Sequence, residues 1–317
     1  MLTIKNLYKK FDSVLALQGL CMEIEKGDIY GFIGPNGAGK TTTLKILAGI
    51  LKPTDGEIWF DGKRVEHTAK DLKKDIGYLP DSFGVYDNLD IGEYLEFFAS
   101  TYGIYGKECK KRIGEVLDLV DLAGYEHRKA NELSRGVQQR LCLARALIHK
   151  PKVLLMDEPT LGLDPMARRT LKTALRNLSQ EGYSIVVSSH DLNDLADTCS
   201  RYGIIHRGKM IFQGEMDEIM ISIENSNPIL ITVYQNVEGA IEVLRENSYV
   251  TRISIEKNRF SILFDGTKEE EALLMKELME HGVLMSSFRR EYNDLETLFF
   301  HIAMSEEQKK DGGLSCI

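Results

Sequence analysis

The 317 residues predict an α/β fold followed by a smaller α+β domain, on three observations. The apolar run Ile29-Tyr30-Gly31-Phe32-Ile33 passes into a glycine-punctuated loop and then into helix-favouring residues, so strand, loop and helix follow one another. Val153-Leu154-Leu155-Met156 is apolar on both faces, which marks a central parallel strand covered by helices. Beyond the polar stretch Glu224-Asn225-Ser226-Asn227-Pro228 the order strand, helix, strand, strand, helix, strand is that of a split βαβ unit.

In chain order, Leu2 to Asn6 and Leu20 to Ile24 alternate as half-buried strands, and Gly27-Asp28 turns the chain into the Ile29 strand. Phe11 falls in the polar segment Lys9 to Ser13, where an exposed aromatic could stack on a base or cover a strand edge. Gly34-Pro35-Asn36-Gly37-Ala38-Gly39-Lys40-Thr41 satisfies G-x-x-x-x-G-K-[ST]. Its glycines free backbone N–H groups to curl around phosphate oxygens, while the helix opening at Thr43 turns its positive end toward them. Lys40 adds a cation and Thr41 a hydroxyl ligand for Mg²⁺.

After the loop helix come strands at Gly56 to Gly62 and Ile76 to Pro80, the second handing over to Asp81. Apolar residues then recur at helical spacing from Ile91 to Gly103 and from Lys107 to Ala123, a helical block inserted between two halves of the core. Ser134 opens a helix that runs to Ile148. It suits an N-cap, and a serine and a glycine (Gly136) at a helix start also suit an anion.

The Val153 strand ends in Asp157-Glu158, two carboxylates at the strand end where open α/β sheets bind ligands. With a phosphate loop in the same chain, Asp157 suits Mg²⁺ and Glu158 suits a base for the attacking water. Gly162-Leu163-Asp164-Pro165 turns into a helix from Met166 to about Leu178. The buried strand Ser184 to Ser189 ends at His190.

Composition narrows the classes. A 43% hydrophobic, 28% charged chain can bury a full core, and no run approaches the ~20 apolar residues that cross a bilayer, so a cytosolic chain is expected. Five scattered cysteines (Cys21, Cys109, Cys142, Cys199, Cys316) without C-x-x-C spacing read as reduced thiols. A net charge of −8 argues against a general nucleic-acid binder.

Taken in order, Gly34 to Thr42, Asp81, Leu133-Ser134-Arg135-Gly136-Val137-Gln138, Asp157-Glu158, Gly162-Leu163-Asp164 and Ser189-His190-Asp191 resemble the ATP-binding subunit of an ABC transporter over residues 1 to about 220. The Leu133 to Val137 segment matches the signature motif that separates this family from other phosphate-loop proteins. The resemblance implies a P-loop NTPase core with an antiparallel β subdomain and a helical subdomain at about 88–148. The expected organisation is an ATPase domain at 1–222, an accessory domain at 223–304 and a disordered tail at 305–317. It implies ATP and Mg²⁺ as ligands, with Phe11 on the adenine, and Thr41, Asp157 and Asp81 at the metal. His190 would sense the γ-phosphate, and Ser134 and Gly136 of a second, head-to-tail copy would complete the site. Glu158, His190 and Asp81 are the catalytic candidates. An integral-membrane permease is the implied partner, placing the chain at the inner face of the membrane, and the segment Asp81 to Asn88 with the C-terminal domain looks like the antibiotic and drug exporter branch.

Four positions depart from the family pattern. Arg135 stands for the first signature glycine and Val137 for its glutamine, Asp81 for a usual glutamine, and Leu161 for a small polar residue. Two alternatives stay open on the sequence: a soluble ABC-type ATPase of translation or DNA metabolism, and a nucleotide-dependent switch with weak hydrolysis.

Overall fold

The computed structural model describes residues 1–65, 72–82, 84, 86, 88–192, 194–216, 218 and 228–290. The expected helix from Glu215 to Ile221 falls largely outside them, and the expected helix at Asp294 to Ile302 and the tail fall wholly outside. The chain divides into two compact units on either side of Met216.

In the first unit, β1 (Leu2–Phe11) and β2 (Val14–Ile24) form one long antiparallel hairpin, with Phe11 opposite Val14. This corrects the expectation of a polar loop at Lys9 to Ser13: Phe11 closes β1. With β4 (Asp55–Phe60) and β5 (Lys63–Arg64) they make a sheet of order β2-β1-β4-β5. A second sheet has the order β10-β9-β3-β8-β7-β6, formed by β3 (Ile29–Ile33), β6 (Ile76–Leu79), β7 (Val153–Met156), β8 (Ser184–Ser189), β9 (Arg201–His206) and β10 (Lys209–Gly214). The inner strands β3, β7 and β8 are buried at every position, which is why none of them shows the apolar–polar alternation of a half-exposed strand. Neighbours among β9, β3, β8, β7 and β6 pair in parallel, and only β10 runs against its neighbour.

Helix α1 (Lys40–Leu47) follows β3 across the loop Gly34 to Gly39, and α2 (Leu72–Asp75) is one turn before β6. The inserted block is α3 (Ile91–Thr101) and α4 (Gly106–Leu119), followed by α5 (Arg135–Leu147). Asp90 starts α3 through a reciprocal cap with Glu93. Helix α6 (Pro165–Gln180) starts on the Asp164 side chain, which accepts the Ala167 N–H, with Pro165 in the first turn where its missing N–H costs nothing. One core runs through both sheets, from Leu2, Ile4 and Leu7 to Phe32, Leu44, Leu155 and Val186.

The second unit has the expected order: β11 (Ile229–Gln235), α7 (Val237–Glu246), β12 (Val250–Glu256), β13 (Arg259–Phe264), α8 (Lys268–Glu280) and β14 (Leu284–Arg290). Its sheet, β12-β13-β11-β14, is antiparallel throughout, and its core joins Ile229, Ile231, Phe260 and Ile262 to Val243, Leu244, Leu274 and Leu278 of the helices. Cys109, Cys142 and Cys199 are free thiols as expected. Cys21 is not among these free thiols, and Cys316 lies outside the described residues.

Candidate nucleotide site

Parallel strands bring their C-terminal ends to one edge of the sheet, so the loops after β3, β7 and β8 meet there. Register sets the meeting: Ile33 pairs with Ser189, and Met156 with Val187. The ladder continues one step into the loops, because Gly34 N–H donates to the Ser189 carbonyl at 3.2 Å and Asp157 N–H to the Leu79 carbonyl at 2.9 Å. Gly39 then starts α1 at φ 113°, in the left-handed region that glycine enters without steric cost, and no side chain caps the helix. The leading N–H groups of α1 therefore face the loop, which suits an anion.

Lys40 is buried, and its ammonium donates to the carbonyls of Gly34 at 2.6 Å and Pro35 at 3.3 Å. It also lies 3.2 Å from Glu158 Oε1. That contact is an ion pair without hydrogen-bond alignment, which leaves Oε1 without a hydrogen-bond partner. The other Glu158 oxygen, Oε2, lies 2.9 Å from His190 Nδ1. With Glu158 ionised, Nδ1 carries the ring proton and donates it. Glu158 sits at φ 46°, a strained conformation for a residue with a Cβ, and its carboxylate is thereby held between a cation and an imidazole.

Asp157 is fully buried. Ser188 donates to its Oδ1 at 2.7 Å and accepts the Glu158 N–H at 3.0 Å, so one hydroxyl of β8 fixes both acidic residues of the β7 end. Asp157 Oδ2 has no partner although it is buried. An orphaned, buried carboxylate oxygen is a hard ligand of the kind that suits Mg²⁺, which is commonly held by one or two carboxylates and substrate phosphates. Among the described residues no cluster of three or more His, Cys, Asp or Glu offers a cage made by the protein alone.

Other expected residues stand apart. Asp81 is exposed past the end of β6, its Oδ1 accepting the Ser82 N–H at 2.7 Å. The phenol of Tyr78, in β6, is pushed well above its usual range, first by burial and then by the charges of Asp157 and Asp81. Phe11 is 42% exposed, with the Lys9 ammonium 4.7 Å from its ring centre. Ser134 occupies the N-cap position of α5, yet its hydroxyl makes no cap hydrogen bond, so the capping role expected of it is not taken up. Gly136 lies against Ala167 of α6, and the Arg135 guanidinium lies over Gly162. Thr41 and Thr42 are half-buried in the first turn of α1. No hydrogen bond or ion pair among the described residues joins Phe11, Asp81, Ser134 or Gly136 to the Lys40, Glu158 and His190 group.

Four residues that contribute went unread in the sequence. Ser188 is one serine among several in a buried run, and only the pairing of β8 with β7 reveals its role. Thr160 and Asp194 tie the loop after Glu158 to the loop after His190 at 3.2 Å, and Arg168 holds Asp194 at 3.0 Å.

Residues 17–161 match the family model described as ABC transporter. The linearmycin resistance ATP-binding protein LnrL of Bacillus subtilis is 29% identical over 304 residues, 95% of this chain and 98% of that one. The bacitracin transport ATP-binding protein BcrA of Bacillus licheniformis is 37% identical over 215 residues, 68% of this chain and 69% of that one. A solved dimeric structure of a bacterial ABC transporter cassette is 30% identical with a TM-score of 0.62, covering 68% of this chain and 99% of that one. With the phosphate loop, the acidic strand end and the fold in agreement with these relatives, the chain belongs to the ATP-binding subunits of ABC transporters, ATPases whose turnover is coupled to transport.

Proposed function

We propose that this chain drives a separate integral-membrane permease in the export of antibiotic or drug-like molecules, and that Glu158 is the base of its ATPase reaction. One observation carries the chemistry: the Glu158 carboxylate stands between Lys40 at 3.2 Å and His190 at 2.9 Å, at the mouth of the phosphate loop. Export is supported by the resistance and bacitracin relatives, which align over most of their length.

In this reading the N–H groups of Gly34 to Thr42 and the Lys40 ammonium bind the phosphates of ATP. Glu158 takes the proton of the attacking water, and His190 orients Glu158 and reaches the terminal phosphate. Thr41 and Asp157 would hold Mg²⁺, with Asp81 as the outer candidate at the rim. When bound, the ion neutralises charge on the phosphate oxygens and polarises the phosphorus toward attack. Ser188 keeps Asp157 Oδ1 occupied, so that Oδ2 is the oxygen left to face the ion. Phe11 offers an exposed ring to the adenine.

The unused Ser134 hydroxyl, with Gly136 beside it, favours a head-to-tail dimer in which a second copy supplies that helix start to the ATP. The domains expected at 1–222 and 223–304 fit this plan, the first binding nucleotide and the second serving as an accessory. Among the described residues no helix is long and apolar enough to cross a membrane, which fits attachment to the inner face through the permease.

The test is to express the chain with the permease of the neighbouring reading frame and to measure ATP-dependent movement of bacitracin or linearmycin in inverted vesicles. Transport that stops with Glu158→Gln supports the proposal. Absence of a membrane partner, with co-purification of ribosomes or DNA instead, overturns it.

A further inference from the structure

A cleft of about 980 Å³ opens at the opposite end of the parallel strands from the phosphate loop. Its position follows from β6: His149 lines the cleft and meets the Ile76 carbonyl at the start of that strand, whereas Asp157 meets Leu79 at its end. The strand separates the two by roughly 10 Å. The walls come from α2, from α4 and the turn before it, and from the residues that follow α5.

The charge of this cleft opposes that of the chain. The net charge is −8, yet among the described residues five cations line the cleft against two carboxylates. Glu115 alone faces three of them: Arg112 at 3.0 Å, and Lys111 and Lys150 at 3.8 Å each. Arg112 is the structural member, since its buried guanidinium also donates to the Leu147 and Ile148 carbonyls and pins α4 to the end of α5. Lys73 and Lys74, on α2, are exposed and form no ion pair among the described residues. Lys152, just beyond, shows the contrast, because both Asp61 and Asp75 meet it. Like charges drawn around one concavity with so little counter-charge repel one another, and an anion placed among them removes that cost.

The floor is built rather than incidental. Tyr102 and His149 stack face to face, with centroids 4.1 Å apart and planes 3° from parallel. The ring of His149 is fixed because Nε2 meets the Ile76 carbonyl at 3.1 Å, and burial holds the imidazole in its neutral form. Nδ1 is then an acceptor, buried and without a partner. The cleft thus offers exposed, flexible ammonium groups together with a stacked aromatic pair. Its volume matches that of small-molecule sites.

We propose that this cleft is a second anion site, distinct from the nucleotide site, which takes a phosphate-bearing ligand held chiefly by Lys73, Lys74 and Lys150. The chemistry is shared by a free polyphosphate and by the headgroup of an anionic phospholipid. A ligand here would bridge α2, at the base of the sheet, to α4 of the inserted helical block.

The experiment uses the full chain carrying Lys40→Ala, so that the phosphate loop no longer contributes to anion binding. Tripolyphosphate is titrated by calorimetry, and flotation is measured with vesicles of phosphatidylglycerol and of phosphatidylcholine. The proposal expects saturable binding that weakens at least tenfold when Lys73→Ala and Lys74→Ala are added. Binding of tripolyphosphate alone identifies a soluble ligand. Flotation with phosphatidylglycerol but not phosphatidylcholine, lost with the same pair of substitutions, identifies a lipid headgroup. If neither probe binds, or if binding is unchanged by the pair, the site does not exist. Both lysines are exposed, and thermal unfolding of the variant confirms that the fold is retained.

Discussion

The Ser188 hydroxyl donates to Asp157 Oδ1 at 2.7 Å across the β7–β8 pair. Asp157 is fully buried, and this is its one side-chain hydrogen bond among the described residues. Replacing Ser188 with Ala therefore leaves both carboxylate oxygens unsatisfied and frees the Glu158 N–H as well. The expected cost is about 1–3 kcal/mol of stability, the penalty of a stranded buried group. Calorimetric unfolding checks this, and an unchanged melting temperature would show that Ser188 is only filler.

Glu158→Gln keeps the size of the side chain and removes its basicity. Turnover of ATP should fall about 10²–10⁴-fold while nucleotide affinity stays near wild type. His190→Ala removes the partner of Oε2 rather than the base, so its loss should be smaller at saturating ATP. Steady-state hydrolysis and equilibrium nucleotide binding, measured on both variants, decide the order. Normal turnover by the Glu158→Gln variant would mean that the base lies elsewhere.

Gly162→Ala tests what Arg135 does to its neighbour. An added Cβ would stand 2.6 Å from the Arg135 guanidinium, but that group is the far end of a flexible chain and can swing aside. The backbone at φ 71° cannot, so the cost of about 1–3 kcal/mol should come from the conformation. Gly162→Ala should then cost the same in an Arg135→Gly background, to within ~0.5 kcal/mol. A clearly smaller cost in that background would show instead that the guanidinium is held in place.

His149 predicts acid sensitivity. Burial lowers its pKa below the usual 6.5, the cause that outweighs the opposing contact with the Ile76 carbonyl. The unfolded chain, with an ordinary histidine, therefore takes up the proton first as pH falls. Stability from this residue is fully present above pH 6.5 and declines below it. His149→Phe keeps a ring for Tyr102 to stack on and removes the proton, so the drop in melting temperature from pH 7.5 to 5.5 should be smaller in that variant. Equal drops in both proteins would exclude His149 as a contributor.

Much of this is legible along the chain because the chemistry sits where apolar runs stop. Ile33, Met156 and Ser189 end their strands, and the next residues are Gly34, Asp157 and His190. Periodicity also locates α3, α4 and both helices of the second unit. What escapes is relational. The strand Arg201–His206 has charged ends and a central glycine, so its apolar stretch is short, and its place beside β3 shows only in the pairing. Phe11 reads as a loop residue because Lys9, Lys10 and Asp12 surround it, yet cross-strand pairing with Val14 holds it in β1. Ser134 carries a strong local cap signal, and local signals cannot tell an N-cap position from a hydroxyl that uses it.

The ladder that ends at Gly34, Asp157 and His190 gives the chain a parity. In β8, Ser188 bonds to Asp157 and Ser189 pairs with Ile33 and turns its hydroxyl to the Asp191 N–H, so adjacent residues serve opposite sides of the sheet. One residue inserted anywhere in that strand would exchange those duties, while two would restore the sides and displace His190 outward by about 7 Å. Length changes within β8 are therefore graded by whether they are odd or even before they are graded by size, and the surface loops carry no such arithmetic.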